Sequence, residues 1–394
     1  MTSVRRSKWV AQGAVLLILF VSVLLTTPLA RGTTFQKDTI VATVRLGTEP
    51  WGLAVDTTNG DVYVADIGGT TVSVIDGKTN SVVANVTVGS HPDGVAFDPT
   101  NGEVYVTNYG SSTVSVINCS TDEVITNVLV LNGPDGVAFD PKNGNVYVAD
   151  EFSNSVSVIG VTNVVTATVR VGAYPWGVAL DSANGEVYVT NEGSNTLSVI
   201  SGSSNTVIEN VTVGDSPYGV AFDSANGNVY VANGGSHTVS VVAGSTNAVI
   251  DTVSAGAGQD DIAFDSSNRN LYVTNWQMNI VSVIDGSTNN VVSNVTVGAN
   301  PGQVAFDPFN GDVYVTNSNS DSVSVVAMVS PAPTSAWEYA VAGVVVALAV
   351  TAFLLLLVRP SRKKSESPAL GSAPTIQEQS GQGEILSSAR PSAQ

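Results

Sequence analysis

Two positions that recur along the sequence alternate between aromatic and acidic side chains, which are residue types that bind ligands. The first position follows a proline, replaced by Gln259 in one unit, and the second follows an Asn or Asp that ends a short apolar run. Aromatic rings stack on sugar faces, while carboxylates bind hydroxyl groups, peptides or cations. The alternative interpretation is that the rings fill the centre of the fold and pack on their neighbours. Ten such candidate ligand-binding residues, called the rim below, are Trp51, Asp93, Tyr109, Asp135, Glu151, Trp176, Glu192, Tyr218, Asp260 and Trp276.

Residues for enzymatic chemistry are scarce in this sequence. His91 and His237 are the only histidines, which excludes multi-histidine copper sites and histidine-rich zinc sites. No Cys-x-x-Cys-His, Gly-x-Ser-x-Gly or phosphate-binding glycine loop occurs. The enzymatic alternative is a metal-assisted lyase or lactonase that uses His91, Asp93 and Asp135. No catalytic residue, metal site or cofactor is therefore predicted. Binding of a divalent cation at the mouth of the central channel is left open.

A repeated segment predicts the architecture that must position the rim. Successive tyrosines of these segments are 42, 42, 41, 42, 42 and 42 residues apart. A period near 40 with four short apolar runs per unit is typical of propeller blades. Seven units predict a seven-bladed ring. The seven segments are Tyr63-Val-Ala-Asp66, Tyr105-Val-Thr-Asn108, Tyr147-Val-Ala-Asp150, Tyr188-Val-Thr-Asn191, Tyr230-Val-Ala-Asn233, Tyr272-Val-Thr-Asn275 and Tyr314-Val-Thr-Asn317.

The apolar runs within each unit alternate with period two and are rich in Val, Ile and Thr. This pattern predicts an all-β fold of four-stranded antiparallel blades. The seventh unit ends after its third strand, and an additional strand at residues 39–46 precedes the first unit. Pairing this N-terminal strand with the seventh unit would satisfy two exposed sheet edges and close the ring. The predicted propeller spans residues 38–328.

Each predicted inner strand ends in an aspartate, so the carboxylates could be mistaken for a ring of metal ligands. Each one precedes a turn, most of them containing Asn-Gly. Aspartate at such a position accepts hydrogen bonds from the amides of its own turn, and we predict that structural role. The seven residues are Asp56, Asp98, Asp140, Asp181, Asp223, Asp265 and Asp307.

Both ends of the sequence carry targeting signals. Residues 1–30 have the basic, apolar and small-residue regions of a signal peptide, with an uncleaved anchor as the alternative. After a linker at residues 329–338, the uncharged apolar segment 339–358 is followed by a basic cluster, which predicts one transmembrane helix. The tail, 359–394, has the composition of a disordered segment. We therefore expect a single-pass protein of the cell membrane, with the propeller outside and the tail in the cytoplasm.

The charge and the glycosylation motifs agree with an extracellular location. Residues 38–327 contain 29 acidic and 5 basic side chains, a formal net charge of −24. Such a surface repels nucleic acid, so no nucleic-acid partner is expected. The lone Cys119 excludes an internal disulfide. Four Asn-x-Ser/Thr motifs predict N-glycosylation, although Asn-Val-Thr also suits an outer strand, and their asparagines are Asn85, Asn118, Asn210 and Asn294.

These repeats resemble the YVTN-repeat β-propeller family, which includes YncE-like proteins. The shared pattern is Pro-x-Gly-Val-Ala-Phe-Asp, Asn-Gly-x-Val-Tyr-Val-Thr-Asn and Thr-Val-Ser-Val-Ile, as in the unit that starts at Pro92. The resemblance implies a propeller, and the signal and anchor resemble those of archaeal surface-layer and cell-surface proteins. It implies little about function, because propellers serve as binding, scaffold and enzyme domains. The sixth unit departs from the pattern, with Gln259-Asp-Asp261 for Pro-x-Gly and Asn268-Arg269 for Asn-Gly.

The sequence therefore favours a non-enzymatic binding or cell-envelope module held at the membrane by one helix. The expected ligand is a glycan, a peptide or another surface protein. The first alternative is the metal-assisted propeller enzyme described above. The second is a purely structural surface-layer subunit that binds its own copies. The sequence does not predict the oligomeric state.

Overall fold

Alternating Val, Thr and Ser residues form 28 short strands that assemble into seven four-stranded antiparallel sheets. The structure, a computed structural model, describes residues 37–329 and the side chains of residues 38–328. The sheets are the blades of a seven-bladed β-propeller, as the repeat predicts. Blades 1 to 6 each take four consecutive strands, and blade 7 takes its outer strand from the start of the described chain.

The strands keep the same order, from the centre outwards, in every blade. The innermost strands are β2 (Pro50–Val55), β6 (Pro92–Asp98), β10 (Pro134–Phe139), β14 (Pro175–Leu180), β18 (Pro217–Asp223), β22 (Gln259–Asp265) and β26 (Pro301–Phe306). The second strands are β3 (Asp61–Asp66), β7 (Glu103–Asn108), β11 (Val146–Asp150), β15 (Glu186–Asn191), β19 (Asn228–Asn233), β23 (Asn270–Asn275) and β27 (Val313–Asn317).

The outer half of each blade is built in the same way. The third strands are β4 (Thr71–Asp76), β8 (Thr113–Asn118), β12 (Ser155–Gly160), β16 (Thr196–Ser201), β20 (Thr238–Ala243), β24 (Ile280–Asp285) and β28 (Ser322–Val329). The outer strands are β5 (Ser81–Thr87), β9 (Glu123–Leu129), β13 (Val164–Arg170), β17 (Thr206–Thr212), β21 (Ala248–Ser254), β25 (Asn290–Thr296) and β1 (Lys37–Arg45).

The ring closes through the N-terminal strand. Strand β1 pairs antiparallel with β28, from Lys37 opposite Val329 to Arg45 opposite Ser322. Blade 7 therefore has the order β1-β28-β27-β26, which confirms that the additional N-terminal strand closes the ring. The buried side chain of Val44 joins the apolar layer between blades 7 and 1. Closure thus adds both backbone hydrogen bonds and apolar burial.

The hydrophobic core consists of seven layers, one between each pair of neighbouring blades. Successive residues of a second strand face opposite sides of the sheet, so Val62 contacts the layer shared with blade 7 and Tyr63 the layer shared with blade 2. Both side chains are fully buried. Each blade is thus covered on both faces, which explains its continuous run of apolar residues.

The buried tyrosines also join each blade to the next by a hydrogen bond. In six blades the hydroxyl donates to an Asn or Asp in the turn after the third strand of the next blade, and these acceptor residues have positive φ. In blade 6 it donates to Asp38 of β1 instead, so the same bond joins the two ends of the ring. The donor–acceptor pairs are Tyr63–Asp122 (3.0 Å), Tyr105–Asn163 (2.8 Å), Tyr147–Asn205 (2.9 Å), Tyr188–Asn247 (3.2 Å), Tyr230–Asn289 (3.0 Å), Tyr272–Asp38 (2.8 Å) and Tyr314–Asn80 (3.3 Å).

The aspartates after the inner strands have the predicted structural role. Each accepts a hydrogen bond from the amide two residues further on, as from Thr58 to Asp56 (2.8 Å) and from Thr100 to Asp98 (2.7 Å). In the sixth blade Arg269 adopts a positive φ of 66° where the other six blades have the glycine of Asn-Gly. The blade nonetheless has four regular strands, so its unusual sequence does not disrupt the sheet.

Three of the predicted glycosylation sites share a hydrogen bond with the blade interior. The carboxamide oxygens of Asn85, Asn210 and Asn294 accept from the serine hydroxyl of the neighbouring third strand, at 3.1, 2.8 and 2.8 Å. Asn127 accepts the same bond at 2.7 Å without belonging to a glycosylation motif. This contact explains why Asn recurs at the position. Glycosylation of these residues and of Asn118, which accepts from Ser120 in a turn, stays a prediction.

The remaining predicted segments lie outside the described residues. These are the signal peptide at 1–30, the linker beyond residue 329, the transmembrane segment at 339–358 and the tail at 359–394. Among residues 37–329, no helix has the length and apolar character needed to cross a membrane.

Deleting residues 37–46 should destabilise the propeller far more than the loss of a surface loop. The deletion exposes the edge of β28 and leaves the hydroxyl of Tyr272 without its acceptor. We expect a lower thermal unfolding midpoint in circular dichroism and aggregation in gel filtration. Tyr272→Phe, which removes only the hydroxyl, should cost about 1–3 kcal/mol of unfolding free energy. A deletion variant that unfolds at the wild-type temperature would show that the ring does not depend on β1.

Candidate functional site

A β-bulge at the start of every inner strand directs the first set of rim residues towards one face. In blade 3, Pro134 pairs with Asp150 and Val137 pairs with Val148, so Asp135 and Gly136 oppose a single residue. The same shift occurs in all seven blades. Bulges re-aim side chains and occur often at functional positions. Here they present the residue after the proline at the mouth of the central channel.

The second set of rim residues follows the second strand of each blade. In blades 3, 4 and 7 that strand ends in a single 3₁₀ turn, at Glu151–Ser153, Glu192–Ser194 and Ser318–Ser320. Each turn ends in a residue with positive φ: Asn154, Asn195 and Asp321. Asn and Asp tolerate this conformation better than other residues with side chains. The turns therefore place Glu151 and Glu192 beside the bulge residues.

Six of the ten rim residues surround one cavity at the channel mouth, of ≈ 480 Å³. This mouth cavity is bordered by blades 7, 1, 2, 3 and 4, and its size is within the range of small-ligand sites. The sequence predicts that both loop types lie at one face, and residues of both types line this cavity. Its lining residues are Glu49, Trp51, Ile67, Asp93, Tyr109, Asp135, Glu151, Trp176, Asn300, Ser318 and Asn319.

The aromatic and acidic residues of the rim also contact one another. The Tyr109 hydroxyl donates to Oε2 of Glu151 at 2.7 Å, and the Tyr218 hydroxyl donates to Oε1 of Glu192 at 3.2 Å. The rings of Trp176 and Tyr218 meet edge to face, with centroids 4.9 Å apart. These contacts fix the orientation of two carboxylates and of one tryptophan that borders the cavity.

Four rim residues, Glu192, Tyr218, Asp260 and Trp276, and the candidate His91 do not line the mouth cavity. Trp276 of blade 6 is 43% exposed and lies against Gly258, and it borders neither the mouth cavity nor the axial channel. His91 is exposed, and its Nδ1 is 2.8 Å from the Ser90 hydroxyl. The enzymatic candidates Asp93 and Asp135 therefore share a cavity that His91 does not line.

The axial channel below the mouth contains two residues that sequence reasoning did not assign. Five blades have a glycine at the second position of the bulge. At Gly94 a side chain is excluded, because a Cβ atom would collide with the carbonyl oxygen of Asp135. Blades 6 and 7 have Asp261 and Gln303 instead. Their side chains accept hydrogen bonds from the backbone amides of Val304 (3.0 Å) and Leu53 (3.2 Å) in the next blade. The channel retains a volume of ≈ 170 Å³.

Three rim carboxylates are buried without a complete set of partners. Asp93, Asp135 and Asp260 are 4%, 1% and 7% exposed, and one carboxylate oxygen of each has no hydrogen-bond donor. Burial, reinforced by the charge of Glu151, raises the pKa of Asp93 to about 7. Burial, together with the neighbouring carboxylates, also raises the pKa values of Asp135 and Asp260 well above the usual range. Burial raises the pKa of Asp261 to about 6.

A direct metal site does not follow from these carboxylates. In the described part of the chain, no three His, Cys, Asp or Glu side chains are placed so that they could hold a metal ion together. A metal ion normally needs several such ligands at short distances. Among the described residues, the acidic groups that border the cavity therefore do not form such a cluster.

Residues 39–330 match the YncE-like beta-propeller family, and this match includes strands of all seven blades. The chain belongs to this family. The match confirms the YncE-like resemblance and leaves the surface-layer type as a proposal. A comparison with curated proteins finds no match.

Solved structures resemble this YncE-like propeller in fold. Hydrazine synthase from Kuenenia stuttgartiensis has a TM-score of 0.64 at 19% identity, covering 76% of this chain and 99% of that chain. Streptogramin B lyase has a TM-score of 0.62 at 13% identity, covering 75% and 98%. Virginiamycin B lyase from Staphylococcus aureus has a TM-score of 0.63 at 15% identity, covering 74% and 100%. At such low identities the likeness concerns the fold alone.

The YncE-like propeller should become less stable as pH rises through neutrality, partly because of Asp93. Its pKa of about 7 in the folded protein exceeds the ordinary value of 3.8, so folding favours the protonated form. That stabilisation is complete below about pH 4 and is lost as pH rises through about 7. Asp93→Asn should therefore raise the unfolding free energy by roughly 2–4 kcal/mol at pH 8 and by little at pH 4.

Glu209→Gln is the matched control, because it removes one negative charge from an exposed position on the outer strand β17. Denaturant titrations of both variants at pH 4, 6 and 8 measure the effect. The control should follow the wild-type pH dependence. An Asp93→Asn variant with the same pH dependence as the wild type would mean that Asp93 is ionised throughout this range.

Proposed function

We propose that this YncE-like propeller is a binding module of the cell envelope and that its ligand docks in the mouth cavity. The observation that carries the proposal is the lining of the cavity. Trp51, Tyr109 and Trp176 supply aromatic surface, and Asp93, Asp135 and Glu151 supply polar contacts around the same space. Binding pockets combine apolar walls with a few convergent polar groups in this way.

The contacts of the tryptophans favour a binding wall over a simple plug. Trp51 packs on Gly302 of blade 7, where the absence of a side chain leaves room for the indole, and part of its surface stays exposed. Trp176 is partly exposed, and its ring meets the ring of Tyr218 edge to face. Both rings therefore combine a fixed position with surface available to a ligand. Rigid aromatic side chains of this kind supply much of the energy at binding sites.

We propose an extracellular location, with the protein anchored in the membrane by residues 339–358. The charged residues support it: with 29 acidic and 5 basic side chains in residues 38–327, the propeller suits an exposed, soluble surface. Strand β28 begins next to the 3₁₀ turn Ser318–Ser320 of the rim and runs to Val329 at the other end of its blade. The last described strand thus ends away from the mouth cavity.

An enzymatic role is supported by one specific feature, the buried acid Asp93. A carboxyl group whose pKa is about 7 is suited to proton transfer near neutral pH. His91 bonds to Ser90 away from the cavity, so the alternative would rely on Asp93 and Asp135 without it. Turnover of candidate ligands, lost in Asp93→Asn, would establish this alternative.

A structural role through self-association is supported by the outer strands. Six of them carry an apolar residue at a β-bulge, where the extra residue points away from the blade, and these side chains are 49–57% exposed. A second copy of the chain is the occupant that this alternative requires. The six residues are Val41, Val83, Ile125, Ile208, Ile250 and Val292.

Trp51→Ala and Trp176→Ala should each weaken ligand attachment at least about tenfold, because each removes an aromatic wall of the cavity. The purified full-length protein is first screened against glycans, cell-wall polymers and cell-envelope fractions. Dissociation constants for the positive ligands are then measured by biolayer interferometry. Trp276→Ala is the matched control, since this rim tryptophan lies outside the cavity, and it should bind within about twofold of the wild type.

Circular dichroism shows whether each variant remains folded. Equal loss of binding in all three tryptophan variants would place the ligand site across the whole rim instead of in the cavity. Loss only in Trp276→Ala would contradict the proposal. A wild type that binds no polymer and sediments as large ordered assemblies would favour the self-associating subunit.

A further inference from the structure

The mouth cavity has a strongly one-sided charge. Four of its lining residues are acidic, Glu49, Asp93, Asp135 and Glu151, and none is Lys, Arg or His. The five basic residues between positions 38 and 327 are all absent from the lining, and two of them, Lys78 and Lys142, contact the ring of Phe309 and the carbonyl oxygen of Ala183. Within the described chain the cavity therefore has no counter-ion of its own. A bound ligand that carries positive charge would supply it.

Two of the buried carboxylates have hydrogen-bonding capacity that the protein leaves unused. Oδ1 of Asp93 and Oδ1 of Asp135 are buried, and neither has a hydrogen-bond donor. Both side chains border the cavity and are more than nine-tenths buried. A buried carboxylate oxygen without a donor is costly, because it has lost its contacts with water. A group that brings N–H donors and a positive charge would satisfy both oxygens.

The aromatic residues of the cavity fit the same kind of ligand. The faces of indole and phenol rings attract cations within about 6 Å of the ring centre. Trp51 and Trp176 line the cavity from blades 1 and 4, and the two aspartates belong to blades 2 and 3, which lie between them. An organic cation between the tryptophans would contact aromatic surface and carboxylates together.

A bare metal ion fits this site less well than an organic cation. Among residues 38–328, no three acidic, histidine or cysteine side chains are arranged to hold a metal together. Calcium takes six to eight oxygen ligands at about 2.3–2.6 Å, and it gains nothing from aromatic walls. A cavity of ≈ 480 Å³ is also far larger than one ion needs.

We propose that the mouth cavity recognises an organic cation, a protonated amine or a guanidinium group, between Trp51 and Trp176 and against Asp93 and Asp135. This inference rests on the proposed function, because it takes the mouth cavity as the ligand site. It narrows the ligand to one with a positively charged group, which either a lysine or arginine side chain or an amino sugar provides.

Binding should strengthen as pH rises from 5.5 to 8. The charged groups that face Asp93 and Asp135 are all acidic: Glu151, Asp260 and Glu192, besides the two residues themselves. These neighbours and burial together favour the protonated carboxyl, whereas a cation pairs with the ionised one. Cation binding must therefore displace protons, and the displacement becomes easier at higher pH.

Isothermal titration calorimetry of the full-length protein tests the proposal with matched probes. N-acetyl-lysine methylamide and N-acetyl-arginine methylamide carry the cation, and N-acetyl-norleucine methylamide is the neutral analogue. Glucosamine and glucose form the second pair, which distinguishes an amino sugar from a side chain as the source. This pair is compared at about pH 7, because the amine of glucosamine, like an α-amino group, loses its proton near pH 8. At pH 8 we expect saturable binding of the lysine or arginine probe, at least about tenfold tighter than its neutral analogue. The affinity should fall at least about tenfold at pH 5.5.

Asp93→Asn and Asp135→Asn should each weaken binding of the cationic probe at least about tenfold, and Glu209→Gln should leave it within about twofold. Both Asn variants keep the side-chain shape and remove a buried charge, and circular dichroism checks their fold. Equal affinity for cationic and neutral probes, or wild-type affinity in both variants, would overturn the proposal. Binding of Ca²⁺ with no response to any amine would also overturn it. Loss of polymer attachment in Trp51→Ala without any amine binding would leave the proposed function standing and reject the cation.

Discussion

The propeller depends on the hydrogen bonds by which a buried tyrosine of each blade reaches the next blade. With a lone cysteine there is no internal disulfide, so neighbouring blades are joined by apolar layers, by these hydroxyls and by a few further hydrogen bonds. The acceptors sit in turns with positive φ, which only certain residues tolerate, so the bond fixes how blades are placed. At the seam Asp38 replaces the usual turn residue and accepts from Tyr272 at 2.8 Å. The N-terminal strand thereby completes the interaction as well as the sheet.

The regular ring positions the rim residues. The rim differs from the repeated positions of the blades because it contains buried carboxyl groups that lack hydrogen-bond donors. Positions that support the blades repeat the same residues, while the bulge positions vary between Trp, Tyr, Asp and Gly. The ring brings these variable residues to one mouth, and it buries Asp93, Asp135 and Asp260 there without enough partners. Unsatisfied buried carboxyls weaken a fold, and functional sites are where proteins retain such features. The mouth cavity is therefore a part of the propeller where the fold gives up stability, as the proposed binding role would require.

The sequence predicted the architecture well, because each blade repeats one period and the missing strand could be counted. The turn role of Asp56 and its equivalents also followed, since local spacing determines it. The hydroxyl contacts were not foreseen, because a tyrosine and its acceptor lie about 59 residues apart, as in Tyr63 and Asp122. The separation of Trp276 from the mouth cavity depends on how seven blades converge, which no single repeat encodes. The departure at Gln259-Asp-Asp261 was visible, but the contact of Asp261 with Val304 required the neighbouring blade.

Fluorine NMR of the full-length protein labelled with 5-fluorotryptophan tests most directly that the mouth cavity is the ligand site. Single Trp→Phe variants assign the resonances, and a ligand from the binding screen or a cationic probe is titrated. We expect saturable shifts of the Trp51 and Trp176 resonances with one dissociation constant, and an unchanged Trp276 resonance, because only the first two residues line the cavity. A shift confined to Trp276, or no shift of Trp51 and Trp176 at saturating ligand, would contradict this expectation.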